Sequence, residues 1–366
     1  MIIKNVTIDE IIKKGILKEK IILFGKGLVL SRMQSCTSWR SFTSNISYII
    51  DNNFSGQINF CGRQVSVFSP DKIRSEENCS IIITSAKYAL EMLEQLEEMN
   101  LPDSVECYVW RGITGFSFKL ESLPIIGQSI FSIPKIIHTF WFSGEKIPDE
   151  YQKCIDSWSK YCPDYEIKIW TQNNYDCSKN TFLQQAIKSK KWAFAADFAR
   201  FDVLYEYGGI YMDSDVELFK SLNDFLHFES FFPFTHSCLI DPVVFGTIQH
   251  NPLLKQLVKQ YENRVLFNKS GNPDTIDNFL PSVVCSVFED MGFNYNDTMQ
   301  MIDGNLIVPS YYFSNVYFEI TRQLFPETEK KLYSIHHCES GWCDVCSSTD
   351  EYNKKLFSKI FNREFA

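Results

Sequence analysis

Apolar residues along the chain fall into two series of strand-length runs separated by a stretch bearing Gly and Ser. In the first series, Ile21–Phe24 (IILF) is a continuous apolar run, as expected of a strand covered on both faces, and it ends in Gly25-Lys26-Gly27. Ser47–Ile50 (SYII) is a second run, closed by Asp51, and Gly56–Val67 reads as a hairpin. Cys79–Thr84 (CSIIIT) leads into Ser85–Met99, where Tyr88, Met92, Leu93 and Leu96 recur at helical spacing, and Val105–Trp110 closes the series. Strands alternating with a helix in this way predict a small α/β sheet. Gly112–Ser132 predicts a linker, and the pattern restarts at Ile133 with IPKIIHTFWF. Helices are predicted over 149–161 and 179–207, on either side of the strand-like Tyr165–Trp170. Gly208-Gly209 halts the second helix, Ile210–Met212 enters a strand, and Leu253–Val265 and 351–362 read as helical. The fold class expected is α/β in two domains, 1–125 and 130–366.

Composition narrows the functions open to such a chain. Of its 366 residues 45% are apolar and 22% charged, which excludes disordered and fibrous classes. Lys and Arg total 36 against 45 Asp and Glu, a formal charge of −9 that makes nucleic acid an unsuitable partner. A phosphorylated ligand would need positive charge supplied locally, by a metal or a few placed cations. No apolar window reaches the ~18 residues of a membrane span. The N-terminus alternates charge with Ile and offers no signal peptide, so the chain is expected in the cytoplasm. Twelve cysteines then read as reduced thiols. Cys338, Cys343 and Cys346 beside His336 and His337 contain a C-x-x-C without a second pair, a weak signal for zinc.

The informative segment is Trp192–Leu218, WAFAADFARFDVLYEYGGIYMDSDVEL. On a helix Asp197, Arg200 and Leu204 share one face. After the Gly pair a strand would carry Asp213 and Asp215 on one face by its period of two. Two neighbouring carboxylates repel each other unless a cation lies between them, and a hard divalent ion, Mn²⁺ or Mg²⁺, suits oxygen donors. One D-x-D is expected by chance in a chain of this length, given roughly average composition. The signal is the assembly of helix, Gly-Gly, strand and acidic pair.

That assembly closely resembles the signature of the D-x-D glycosyltransferases of family 32. This sugar-binding-region group includes bacterial capsular and lipopolysaccharide transferases and fungal mannosyltransferases, and it is distantly similar to clostridial toxin glucosyltransferase domains. Ile133–Gly144 (IPKIIHTFWFSG), Ser157-Trp158, Cys162–Tyr165 (CPDY) and His337–Trp342 (HCESGW) match further elements in the same order. The resemblance implies a GT-A type nucleotide-sugar-binding domain preceded by a small Rossmann-like domain. It implies that Trp141 stacks on the base, that Asn173 touches the ribose, and that Asp197 and Arg200 hold the donor sugar, with Arg200 also near the leaving phosphate. Asp213, framed by Tyr211, would reach the ribose and a metal-bound water, and Asp215 would ligate the metal. His337 and Ser340 would complete the metal site, and Trp342 would cover the diphosphate and sugar.

The activity so implied is metal-dependent, retaining transfer of a hexose or N-acetylhexosamine from a nucleoside-diphosphate sugar, a UDP-sugar ahead of a GDP-sugar. The acceptor would be a surface glycan (capsule or O-antigen) or a lipid-linked glycan at the inner membrane face. Two rivals stand beside it. One is a protein glycosyltransferase of toxin type. The other is a nucleotide-binding oxidoreductase led by the N-terminal domain, against which the Gly fingerprint counts, since Leu30 stands where its third Gly belongs.

Overall fold

The computed structural model describes residues 1–6, 10–11, 14–33, 43–85, 87–110, 120–125, 132–235, 239–274, 277–314, 318–338 and 350–362. The expected α/β class holds, with one seven-stranded sheet in each half of the chain.

The first half contains β1 (Ile2–Lys4), β2 (Ile21–Phe24), α1 (Leu28–Met33), β3 (Ile46–Ile50), β4 (Gly56–Phe60), β5 (Arg63–Phe68), β6 (Ser80–Ile83), α2 (Ala89–Glu98) and β7 (Glu106–Val109). Its strand order is β1-β7-β6-β2-β3-β5-β4, all parallel except the β4–β5 hairpin, the Rossmann-like pattern expected. β2, β3 and β6 are predominantly apolar because they lie inside the sheet: every residue of β2 and β6 is buried, and in β3 all but Ser47. At the end of β2, Lys26 N–H donates to Asp51 Oδ2 at 2.8 Å and Asn53 N–H to Asp51 Oδ1 at 2.9 Å. The acid that a dinucleotide would need for its ribose is therefore taken up by the chain's own turn, which counts against the oxidoreductase alternative.

The second half contributes β8 (Ile136–Phe140), α3 (Asp149–Tyr161), β9 (Glu166–Trp170), α4 (Thr181–Lys188), α5 (Trp192–Tyr207), β10 (Gly209–Met212) and β11 (Val216–Leu218). They are followed by β12 (Ser230–Pro233), β13 (Val244–Thr247), α6 (Pro252–Lys259), α7 (Leu280–Glu289), β14 (Gln300–Ile302), β15 (Asn305–Val308) and β16 (Phe313–Ser314). α8 (Phe318–Leu324), β17 (Ser334–His336) and α9 (Asp350–Phe361) complete the chain. The second sheet has the order β14-β15-β12-β13-β10-β8-β9, and β11-β17-β16 form a small third sheet.

Three expectations need correction. The helix predicted over 179–207 is two helices, because Lys190 takes a left-handed conformation (φ 55°) that no α-helix continues. The helix expected over Leu253–Val265 stops at Lys259. The strand expected from Ile210 ends at Met212, so Asp213 and Asp215 lie in a turn between two sheets and not on a strand. The predicted linker Gly112–Ser132 falls largely outside the described residues.

The chain's last helices return to the first sheet. Ile320 of α8 and Leu356, Phe357 and Ile360 of α9 share a buried cluster with Ile22, Phe24, Ile81 and Ile83. Tyr352 Oη also accepts from Leu90 N–H at 2.9 Å. This crossing joins the two domains expected on either side of residues 125–130. Among the described residues no helix is long and apolar enough to cross a membrane.

Candidate active site

The site is built on α5. This helix is flanked by α4 and α6 and packs on β8, β10 and β13, so residues 194–204 are buried all round rather than along one stripe. Ala195, Ala196 and Ala199 let its neighbours approach closely. Charges on such a helix must be paired. Arg200, only 4% exposed, donates from Nη2 to Asp197 Oδ1 at 3.0 Å, from Nη1 to the Pro242 carbonyl at 3.0 Å and from Nε to the Ala196 carbonyl at 3.1 Å. Its Nη2 also lies 3.5 Å from Asp213 Oδ1, and the guanidinium sits over the Tyr211 ring at 4.5 Å. On the far side, Asp202 accepts from Tyr175 Oη at 2.8 Å and Lys179 Nζ at 2.6 Å, fixing the turn after β9 to the helix.

Two glycines turn α5 into β10. Gly208 and Gly209 have φ of 64° and 99°, and a β-carbon on Gly209 would meet the Ile136 carbonyl at 2.7 Å, so only glycine lets β10 lie against β8 here. Buried His138 on β8 secures the entry. Its Nε2 bonds the Gly208 carbonyl at 3.0 Å while Nδ1 accepts from Trp170 Nε1 at 3.1 Å. Burial pushes this imidazole down to about 4, so it stays neutral.

Beyond β10 the chain leaves the second sheet. Asp213 N–H donates to the Val243 carbonyl at 2.9 Å, and Val216 N–H closes the turn on the Asp213 carbonyl at 3.1 Å. Tyr211 Oη donates to Asp213 Oδ1. β11 then pairs antiparallel with β17, setting Val216 opposite His336. The result is a cluster of three: Asp213, Asp215 and His336 each offer a donor atom within 4.8 Å of the others. His336 Nε2 lies 3.2 Å from Asp215 Oδ1. Burial would lower this imidazole, but Asp215 beside it, and Asp213 and Asp241 beyond, raise it to about 10. Burial pushes the Asp197 carboxyl up to about 7 against the opposing pull of Arg200, with Asp213 and Asp241 adding to the rise. The same carboxylates, with Tyr211, raise Arg200 despite its burial. Two carboxylates and an imidazole around one point form a donor set that suits Mn²⁺ and, through its oxygens, Mg²⁺.

The expected site residues divide. Asp197, Arg200, Tyr211, Asp213 and Asp215 are brought into one network. Trp141 and Asn173 follow β8 and β9, so with the aspartates after β10 they share the carboxyl edge of three adjacent parallel strands. Ligands of open α/β sheets bind at that edge. Trp141 is half-buried, its ring fixed by Nε1–H donating to the Glu145 carbonyl at 2.8 Å and by an edge contact to Tyr151 at 5.4 Å. Asn173 sits exposed in the turn, its N–H on Thr171 Oγ1 at 3.2 Å. Ser340 and Trp342 lie outside the described residues. The structure places His337 elsewhere than expected: its Nε2 meets Glu217 Oε2 at 3.0 Å, while His336 meets Asp215. His337 stands one residue past the end of β17, its N–H donating to the Asp215 carbonyl at 3.1 Å.

Sequence reasoning also missed the loop Asp241-Pro242-Val243, whose carbonyls hold both Arg200 and Asp213. It carries no motif, and Asp241 within it acts on Asp197, Arg200 and His336 through its field. The histidine assignment is directly testable. His336→Ala is expected to weaken Mn²⁺ affinity at least about tenfold while His337→Ala stays within about twofold of the unaltered chain, measured by Mn²⁺ titration. The reverse order would restore His337 to the site.

Comparisons with known proteins agree with the acidic turn. Residues 148–232, from α3 through β12, match the family model described as "Glycosyltransferase sugar-binding region containing DXD motif". Inositol phosphoceramide mannosyltransferase 3 of Schizosaccharomyces pombe is 34% identical over 145 residues, 37% of this chain and 39% of that protein. Mannosyl phosphorylinositol ceramide synthase CSH1 of Saccharomyces cerevisiae is 26% identical over 205 residues, 52% of this chain and 50% of that one. The chain thus spans half or less of these relatives' length. Among solved structures, PaToxG glycosyltransferase aligns with 64% of this chain and 88% of its own at 17% identity, with a TM-score of 0.31. The part of the chain similar to the glycosyltransferase sugar-binding region family is thus residues 148–232, which hold the D-x-D turn and the buried helix behind it.

Proposed function

We propose that the chain is a metal-dependent glycosyltransferase that moves a hexose from a nucleoside-diphosphate sugar to a hydroxyl of a glycan or lipid-linked acceptor. The observation that carries this reading is the meeting of Asp213, Asp215 and His336 at the carboxyl edge of the sheet, beside a buried Arg200–Asp197 pair. Those three side chains would hold Mn²⁺ or Mg²⁺, which when bound neutralises charge building on the departing diphosphate.

The chain's own groups do the rest. Arg200 is a fixed cation whose bonds keep it inside the fold, so it acts on the phosphates through its field and by holding Asp197 and Asp213 in place. Asp197 keeps a carboxylate at the sugar's side, where it accepts from donor hydroxyls. Trp141 offers an aromatic face to the base.

With Oδ1 of Asp197 bonded to Arg200, this carboxylate is poorly placed as a nucleophile. We therefore favour front-face transfer with retained configuration, and a trapped covalent sugar on Asp197 would sink that detail. The fungal relatives are named for mannosyl transfer to inositol phosphoceramide, which puts mannosyl donors and lipid-linked polyol acceptors beside surface glycans among the candidates.

The test is incubation with Mn²⁺ and a panel of UDP- and GDP-hexoses and N-acetylhexosamines, scoring release of nucleoside diphosphate. Slow hydrolysis of one donor, stopped by chelator and restored by Mn²⁺, is expected. Failure of every donor to bind or turn over would overturn the reading.

A further inference from the structure

His336 uses Nε2 toward Asp215, and this leaves Nδ1 on the opposite edge of the ring to be accounted for. Nδ1 lies 3.5 Å from the sulfur of Cys338. The same thiol donates to the His336 carbonyl at 3.7 Å, so its single proton is engaged and only lone pairs remain for the ring. The backbone makes this contact possible. Cys338 adopts φ 56°, a left-handed turn directly after β17 that folds its side chain back on the residue two positions earlier.

An imidazole presents an Nε2 lone pair to a cation only in the tautomer that carries its proton on Nδ1. An outer acceptor for that proton fixes both the tautomer and the ring plane. We propose that Cys338 is the positioning residue of the cation site, its sulfur accepting from His336 Nδ1–H so that Nε2 is aimed at Asp213 and Asp215. The inference rests on the cation site of the proposed function and adds to it a thiol in the outer shell, where carboxylates, backbone carbonyls or waters more often serve. A thiol in that position also makes cation binding sensitive to alkylation of Cys338.

The test is titration of the full chain with Mn²⁺, following the free ion by electron paramagnetic resonance, with thermal melts confirming each variant's fold. Cys338→Ala is expected to weaken Mn²⁺ affinity by about 10–100-fold, the usual cost of losing an outer-shell partner. Cys338→Ser, which keeps an acceptor on the same β-carbon, should recover most of that loss. Because the thiol acts through the imidazole, adding Cys338→Ala to His336→Ala should weaken binding no further. Equal Mn²⁺ affinity in Cys338→Ala and the unaltered chain, or additive losses in the double variant, would overturn this inference and leave the cation site standing. An unaltered chain that takes up no Mn²⁺ would remove both.

Discussion

Asp215→Ala is expected to lower kcat on any donor the chain turns over by about a thousandfold, ~4 kcal/mol of transition-state stabilisation. Its fold should survive. Asp215 stands in a turn, and its neighbour His336 can release a proton once the carboxylate is gone, so no uncompensated charge is left inside. Mutual repulsion with Asp213 is relieved at the same time. The expected signature is therefore lost turnover with a melting temperature near that of the unaltered chain. Turnover within tenfold of the original, with Mn²⁺ present, would show that the acidic pair is not the reaction centre.

Arg200→Ala should give the opposite signature. Its guanidinium ties α5 to the Asp241–Val243 loop and to the D-x-D turn, with bonds to Asp197, Ala196 and Pro242. Deleting it leaves Asp197 buried without its cation and the Pro242 carbonyl without a donor. Breaking a buried pair in this way costs about 3–5 kcal/mol of folding stability. Arg200→Lys can restore one of these contacts at most, since an ammonium lacks the planar fork, and should recover only part of the loss. Urea unfolding measures both. A change below about 1 kcal/mol in Arg200→Ala would mean that water already reaches the pair.

How much of this was legible in the sequence depended on how local the cause was. The buried strands of the first sheet stood out as apolar runs, and Asp197 and Arg200 paired as their spacing on one helix turn required. The acidic pair was found by its neighbours, but a strand was expected to hold it. A period-two argument and a turn both bring residues i and i+2 together, and nothing local separates them. His336 was missed for a similar reason: two adjacent histidines carry no local mark of which one the pairing of β17 with β11 sets beside Asp215. The Asp241–Val243 loop and the return of α9 to the first sheet were invisible because their partners lie far away in the chain. Packing between distant segments leaves no periodicity to read.

The cation site's own wiring has a consequence for biosynthesis. Asp213 and Asp215 leave the ribosome about 120 residues ahead of the histidine that completes their cluster. At typical elongation speeds of 5–20 residues per second, that gap lasts roughly 6–24 s. During this interval the nascent chain displays two like charges with neither imidazole nor finished third sheet to steady them. Were the proposed cation site to form, full-affinity ion uptake would wait for His336, and a fragment ending before residue 336 would bind manganese at least about tenfold more weakly however well its α5 helix had formed.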